Sequence, residues 1–229
     1  MIDRLCVWCR GAIAATARRD SRFCGKKCRQ AAWRLRSYAS PSDRREALPQ
    51  IARVLRFAYA DPPYPGKARM YKKHPDYKGE VDHVELIKRL TSTYDGWALS
   101  TSARALQQLL PLCPPEVRVC AWVKPGGAPP ATYGLHNVWE AIIVRQGRRI
   151  RPGRRDALYF HPARGGGDLV GRKPLQFCAW LFDAMGMLPG DSLDDLFPGT
   201  GVVAAAWAEA SSKATSDASS AAADDRSVI

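Results

Sequence analysis

The sequence has no apolar run approaching the roughly 18 residues of a membrane-crossing helix, so no membrane span is expected. The opening stretch MIDRLCVWCR lacks a long apolar core and does not read as a secretory signal. No internal repeat is visible. The cysteines do not divide into pairs: there are seven, with four in the first 28 residues and Cys113, Cys120 and Cys178 in apolar contexts. That distribution argues against a disulfide framework and for a reducing compartment with a metal site. Acids are in short supply, 22 against 35 lysines and arginines, which leaves a net charge of +13. Such a chain favours polyanions, of which nucleic acid is the commonest, with a merely solvated basic surface as the plainer alternative. The bases gather at 18–45, 66–78 and 145–155, and clustering favours nucleic acid.

What is present divides into four parts. Residues 1–38 form a cysteine-rich basic module, 39–50 a polar linker, 51–210 the main domain, and 211–229 a small polar tail expected to be disordered. Within the main domain, RVLRFAYA, GWALST, EVRVCAWVKP, NVWEAIIVRQG and SLDDLF read as strands. EVDHVELIKRLTSTY carries Val81, Val84, Ile87 and Leu90 at helical spacing. ARALQQLLPL, KPLQFCAWLFDAMG with Gly186 as its stop, and GVVAAAWAEA also read as helices. Strands alternating with helices predict an α/β domain with a largely parallel sheet.

Cys6-x2-Cys9 and Cys24-x3-Cys28 bring four thiols in two close pairs. Each pair can span one edge of a tetrahedron, and four thiolates make a closed structural zinc site. A module this small buries too little surface to fold unaided, so the metal would supply most of its folding free energy. The second pair opens CRQAAWRLRSY, in which Arg29, Arg34 and Arg36 interleave with Trp33 and Tyr38 on a predicted helix. These arginines are candidates for phosphate contacts; the alternative is a solvated helix whose tryptophan covers the metal.

At FAYADPPYPG an apolar strand runs into Asp61, Pro62, Pro63 and Tyr64. One chemistry needs such a turn. The exocyclic amino group of adenine or cytosine is a poor nucleophile because its lone pair is delocalised into the ring. A carboxylate and a rigidly aimed backbone carbonyl can accept its two protons and restore that lone pair. Proline fixes φ and lacks an N–H, so Pro62-Pro63 stiffens the turn that aims the carbonyl. Tyr64 can stack on a base withdrawn from a duplex. The tetrapeptide also occurs as an ordinary strand-ending turn.

A second motif, DDLFPGTGVVAAAW, places Asp195, Phe197, Gly199 and Gly201 between a predicted strand and a predicted helix. Glycines there let a cofactor approach the backbone ahead of a helix N-terminus; a tight loop needing small residues is the alternative.

Together these motifs resemble the permuted amino-methyltransferases of DNA, which use S-adenosylmethionine (SAM) and carry the catalytic motif ahead of the SAM motif. They are more distantly similar to messenger-RNA adenosine methyltransferases. The resemblance covers roughly 51–207, through ADPPYPGKARMYKKHPDYKGEVDH, AWVKPGG, HNVWEAIIV, GRKPLQFCAWLF and DLFPGTG. It implies a Rossmann-like methyltransferase sheet with permuted motif order, preceded by the zinc ribbon. It implies Asp61, Pro62, Pro63 and Tyr64 as the catalytic motif, and Asp195, Phe197, Gly199 and Gly201 around SAM. Lys173 and Pro174 match a Lys-Pro that starts a helix beside the methionine end of SAM, and His136 and Glu140 resemble a His/Glu pair of the RNA enzymes. The basic segment after the catalytic motif, with Lys67, Arg69, Lys72 and Lys73, becomes a lid or DNA clamp. The arginine- and glycine-rich 145–174, with Arg148 and Arg149, takes the position of target recognition.

The resemblance thus implies a cytoplasmic enzyme of a bacterium or a phage-infected cell. It would bind SAM and zinc and methylate a flipped adenine in double-stranded DNA. Asp rather than Ser at the first motif position favours adenine over cytosine. An RNA amino-methyltransferase and a non-catalytic nucleic-acid binder with a decayed methyltransferase fold are the alternatives. The sequence departs from the family in one respect: after Gly201 a single helix runs into the tail, with no strand bearing an acid for the SAM ribose.

Overall fold

The computed structural model describes residues 6, 13–14, 16–18, 20–30, 53–72, 77, 79–124, 137–148, 155–160 and 173–212. Six strands form one sheet: β1 (Arg56–Ala60), β2 (Gly96–Ser102), β3 (Arg118–Val123), β4 (Trp139–Arg145), β5 (Ala157–Tyr159) and β6 (Ser192–Asp195). Their spatial order is β5-β3-β4-β2-β1-β6. β1 lies parallel to β2 and to β6, and β3 parallel to β5. β4 is antiparallel to both its neighbours, β2 and β3. The largely parallel sheet is therefore present, with β4 as the reversed strand.

β1 and β2 are buried along nearly their whole length because helices cover both faces of the sheet. On one face, Phe57 and Tyr59 of β1 join Trp122, Ile142 and Val144 under α2 (Leu175–Met185), whose Phe177, Cys178, Leu181 and Met185 are buried. The last helix, α3 over 202–212, adds Val203 and Trp207 to that face. On the other face, Ala58 and Ala60 alternate into a second cluster with Trp97, Leu99 and Ile143 under α1 (His83–Thr93). Asp82 caps α1, its side chain accepting from the amides of Val84 and Glu85. Leu86, Ile87 and Leu90 form the buried stripe of α1, while Val84 is 60 % exposed. Val84 lies just past the edge of that stripe, a rotation that periodicity over four apolar positions did not resolve. α2 ends where expected: Gly186 has φ +79°, and the Met187 amide reaches back to the Phe182 carbonyl.

The predicted helix over ARALQQLLPL is a composite, with 3-10 turns at Ala103–Ala105 and Leu110–Leu112 around one α turn at Leu106–Leu109. β5 falls inside the arginine- and glycine-rich segment and was not expected; three residues are too few to show an alternation. α3 runs to 212, taking in the first two residues of the expected tail. Among the described residues no strand follows β6, and no helix is long and apolar enough to cross a membrane.

Candidate functional site

The sheet places its crevice by topology. From β1 the chain goes to α1 on one face, and from β6 it goes to α3 on the other. Adjacent parallel strands whose exits diverge in this way open a crevice beyond their carboxyl ends, the usual ligand position of such sheets. Asp61 leaves β1 and Asp195 ends β6, so the two sequence motifs flank one opening. The reversal of β4 adds a third contributor. Its first residues, not its last, lie at this edge, and Glu140 is thereby brought into register with Ser102 of β2 and Trp122 of β3.

A chain of alternating charges crosses the edge. The Lys173 ammonium lies 2.9 Å from Asp61 Oδ2 and 3.4 Å from Glu140 Oε2. Glu140 Oε1 accepts from Lys124, which follows β3. Lys173 is 6 % exposed, and its Nζ lies 5.4 Å from the Trp122 ring centroid and 5.5 Å from that of Phe177. Lys124 Nζ lies 4.3 Å from the same Trp122 ring. Burial alone would push the Lys173 ammonium toward neutrality, but Asp61 and Glu140 outweigh it and hold the proton well above the ordinary lysine range. Burial raises the Glu140 carboxyl, yet Lys173 and Lys124 together hold it below its usual value. Pro62 is buried and Tyr64 half-buried, with burial pushing the Tyr64 phenol up. Beneath the edge, Tyr59 and Ser100 share a hydrogen bond of 2.8 Å.

Across the crevice, the loop after β6 turns on Gly199 and Gly201, at φ +50° and +71°. A Cβ on Gly201 would meet nothing within 4 Å, so the cradle is open on that side. Among the described residues, Asp195 Oδ1 is buried without a hydrogen-bond partner. Burial lifts this carboxyl to about 6; the Phe197 amide opposes the rise, Asp61 adds to it, and Lys173 opposes it. A buried acceptor with no donor, beside an open glycine turn, suits a ligand that brings an N–H or ammonium group.

The structure brings Asp61, Pro62, Pro63, Tyr64, Lys173 and Pro174 together at one edge with Asp195, Phe197, Gly199 and Gly201. It adds Lys124 and Tyr71, which lie within the AWVKPGG and PGKARMYKK segments but were not singled out there; Tyr71 ends the 3-10 turn Ala68–Tyr71, and its phenol is raised by burial and by Asp61. Lys67, Arg69 and Lys72 are exposed on this segment, which Glu80 ties down through the amides of Gly66 and Ala68. Arg29 is exposed. Cys9, Arg34, Arg36, Lys73, His136 and Arg149 lie outside the described residues.

Arg148 requires a correction. It was expected on nucleic acid, but it is 1 % exposed and paired with the equally enclosed Asp191, with a bond of 2.8 Å from Nη2 to Oδ1. It also donates to the carbonyls of Arg53 and Gly186. Asp191 in turn accepts from the amides of Leu55 and Leu188. These groups precede β1 and β6 and follow β4, so the cluster lies at the sheet edge opposite Asp61 and locks elements together.

In the N-terminal module the thiols of Cys6, Cys24 and Cys28 all lie within 4.8 Å of one another, and the Cys24 and Cys28 sulfurs are 3.5 Å apart. Two thiolates held about 2.3 Å from a tetrahedral zinc stand roughly 3.8 Å apart, so this donor set fits that metal.

A separate cleft of about 510 Å³ lies between β5 and α2, lined by Arg155, Tyr159, Trp180 and Asp183 among others. The site assignment rests on the strand ends and their chemistry rather than on this cleft.

No family model matches the chain, and no curated protein matches it. Solved structures similar to it include the crystal structure of the M1.HpyAVI–SAM complex, at 14 % identity and a TM-score of 0.49, covering 79 % of this chain and 86 % of that one. The crystal structure of M1.HpyAVI is also similar, at 15 % identity and a TM-score of 0.44, covering 79 % and 85 %.

Proposed function

We propose that the protein is a SAM-dependent methyltransferase that modifies the exocyclic amino group of a nucleic-acid base, adenine in double-stranded DNA above all. The observation that carries this reading is the pairing of Asp61-Pro62-Pro63-Tyr64 with the Asp195–Gly201 turn across a single switch-point crevice. SAM supplies an electrophilic methyl group on a sulfonium. The protein supplies acceptors for the amino protons, Asp61 and the carbonyl that follows Pro62. Tyr64 stacks on the base once it leaves the helix. Asp195, Phe197, Gly199 and Gly201 receive the cofactor, with Lys173-Pro174 at the start of α2 beside them. Arg29, Lys67, Arg69 and Lys72, together with Arg34, Arg36, Lys73 and Arg149, are the candidate phosphate contacts. The deciding experiment incubates the protein and tritiated SAM with mixed-sequence duplex DNA and with matched RNA, then separates the nucleosides. Label in N6-methyladenine from DNA is the expected result; label in RNA or cytosine relocates the substrate, and no transfer despite tight nucleic-acid binding favours the non-catalytic alternative.

The orphaned Asp195 oxygen makes cofactor binding pH-dependent. With its carboxyl at about 6, Asp195 is ionised above that pH and neutral below it. SAM affinity measured by calorimetry is therefore expected to weaken as pH falls through about 6 and to level off above it. Asp195→Asn should remove that dependence. The same slope in Asp195→Asn would place the titrating group elsewhere.

We also infer that Cys6, Cys24 and Cys28, with Cys9 as fourth ligand, hold a structural zinc. Metal analysis of untreated protein is expected to give about one zinc per chain, as a closed four-thiolate site requires. Cys24→Ser should lose the metal and melt the first 38 residues while leaving the sheet folded. Metal-free protein with an intact N-terminal module would rule the site out.

A further inference from the structure

Asp61, Lys173, Glu140 and Lys124 balance two carboxylates against two ammoniums, but the order of the chain gives the buried Lys173 two carboxylate partners instead of one. Lys173 meets both Asp61 and Glu140, although Asp61 alone would neutralise it. A closed one-to-one pair would spend the charge of Asp61 on Lys173 and leave a weak acceptor for anything entering the crevice. Glu140 divides the claim on that ammonium. It is itself held in place from the far side by Lys124, and it projects from the strand whose reversal brings it to this edge. The faces of Trp122 and Phe177 prevent the ammonium from leaving toward water.

We propose that Glu140 is a positioning residue for the transfer step, acting through Lys173 to keep Asp61 oriented and available as acceptor of the amino protons. This rests on the methyltransferase reading above. It assigns Lys173 to the reacting end of the crevice in addition to its neighbourhood with the cofactor.

The groups facing Lys173 are Asp61 and Tyr64 from the turn after β1, Glu140 from β4, Asp195 from β6, Tyr71 from the 3-10 turn and Cys178 from α2. Of these, Asp61 and Glu140 are the carboxylates that hold its proton. Removing the Glu140 charge therefore has a signature that loss of packing does not: the defect is relieved when the charge returns in Glu140→Asp, although that side chain is shorter.

The test uses the full chain with Glu140→Gln, which keeps the shape, and Glu140→Asp, which keeps the charge. Single-turnover methyl transfer at saturating SAM and DNA is measured at neutral pH, beside SAM calorimetry. Glu140→Gln is expected to slow transfer about tenfold, the equivalent of one pKa unit of lost interaction. SAM affinity should change little, and Glu140→Asp should recover part of the rate. An unchanged rate in folded Glu140→Gln, or no recovery in Glu140→Asp, overturns the proposal. So does a loss confined to SAM affinity, which would make the cluster a cofactor site only. If wild-type protein transfers no methyl group at all, the methyltransferase reading fails separately. The coupling is then read from the Lys173 side-chain ammonium resonance by NMR at neutral pH: faster exchange of its protons with water in Glu140→Gln supports it, and unchanged exchange overturns it.

Discussion

Asp61→Asn is expected to lower single-turnover methyl transfer by about 100- to 1000-fold, the typical loss when one preorganised acceptor is removed from a transition state. The amide has the size of the carboxylate but presents one donor and one neutral acceptor. It can neither draw the amino protons with full charge nor match the Lys173 ammonium, 2.9 Å from Oδ2 in the native protein. The fold should survive, because Lys173 keeps Glu140 as a counter-ion. SAM affinity should survive nearly intact as well, because most of the proposed cofactor contacts lie across the crevice after β6. Single-turnover transfer and calorimetry on the same preparation separate the two effects. Wild-type transfer rates in Asp61→Asn would return the Asp-Pro-Pro-Tyr turn to a purely structural role. Asparagine is the informative substitution here. Alanine would also leave a space beside a buried ammonium and mix a stability defect into the rate.

The second large effect concerns stability. Arg148→Ala is expected to destabilise the protein by about 3–5 kcal/mol, the usual cost of leaving half of a buried ion pair uncompensated. Both side chains are fully enclosed, and loss of the guanidinium takes from Asp191 its bond to Arg148 while the amides of Leu55 and Leu188 remain. The Arg53 and Gly186 carbonyls lose a donor at the same time. The cluster cannot close over the gap, because Gly147 already lies against the Phe57 ring and an added Cβ at Gly186 would come within 2.2 Å of the Arg148 carbonyl oxygen. Denaturant unfolding measures the loss. The double variant Arg148→Met, Asp191→Leu should recover part of it, since an apolar pair leaves no unpaired charge. DNA affinity of the folded protein should be unchanged. Near-native stability with weakened DNA binding would restore Arg148 to the nucleic-acid surface.

How much of this was legible in the sequence depends on how local each feature is. The main helices and the principal strands follow from periodicity and end signals within about a dozen residues, such as the Asp82 cap and the Gly186 stop. The stiff turn at 61–64 and the glycine turn at 199–201 are likewise written in consecutive residues, because proline and glycine act on their own backbone. The thiol pairs were legible for the same reason, and the structure brings Cys6 to Cys24 and Cys28. Against this, helical spacing alone did not reveal that Val84 is exposed while Ile87 and Leu90 are buried, and β5 was too short to recognise.

The sequence by itself therefore determined the α/β class, the order of the two motifs and the residue types that make the chemistry conceivable. Only the tertiary structure decided which charges meet. Arg148 stands in a run of arginines that reads as phosphate-binding, yet sheet order sets it against Asp191, 43 positions on, where no phosphate can reach. Lys173 reads as the start of a helix, and the fold lays it between Asp61 and Glu140. Glu140 reaches that edge because β4 runs against its neighbours. Strand direction is a property of how the whole chain is threaded, and no pattern within seven residues of WEAIIVR records it. Charge pairing acts over a few ångströms of space and is indifferent to separation along the chain, so its outcome becomes visible only when the sheet is assembled.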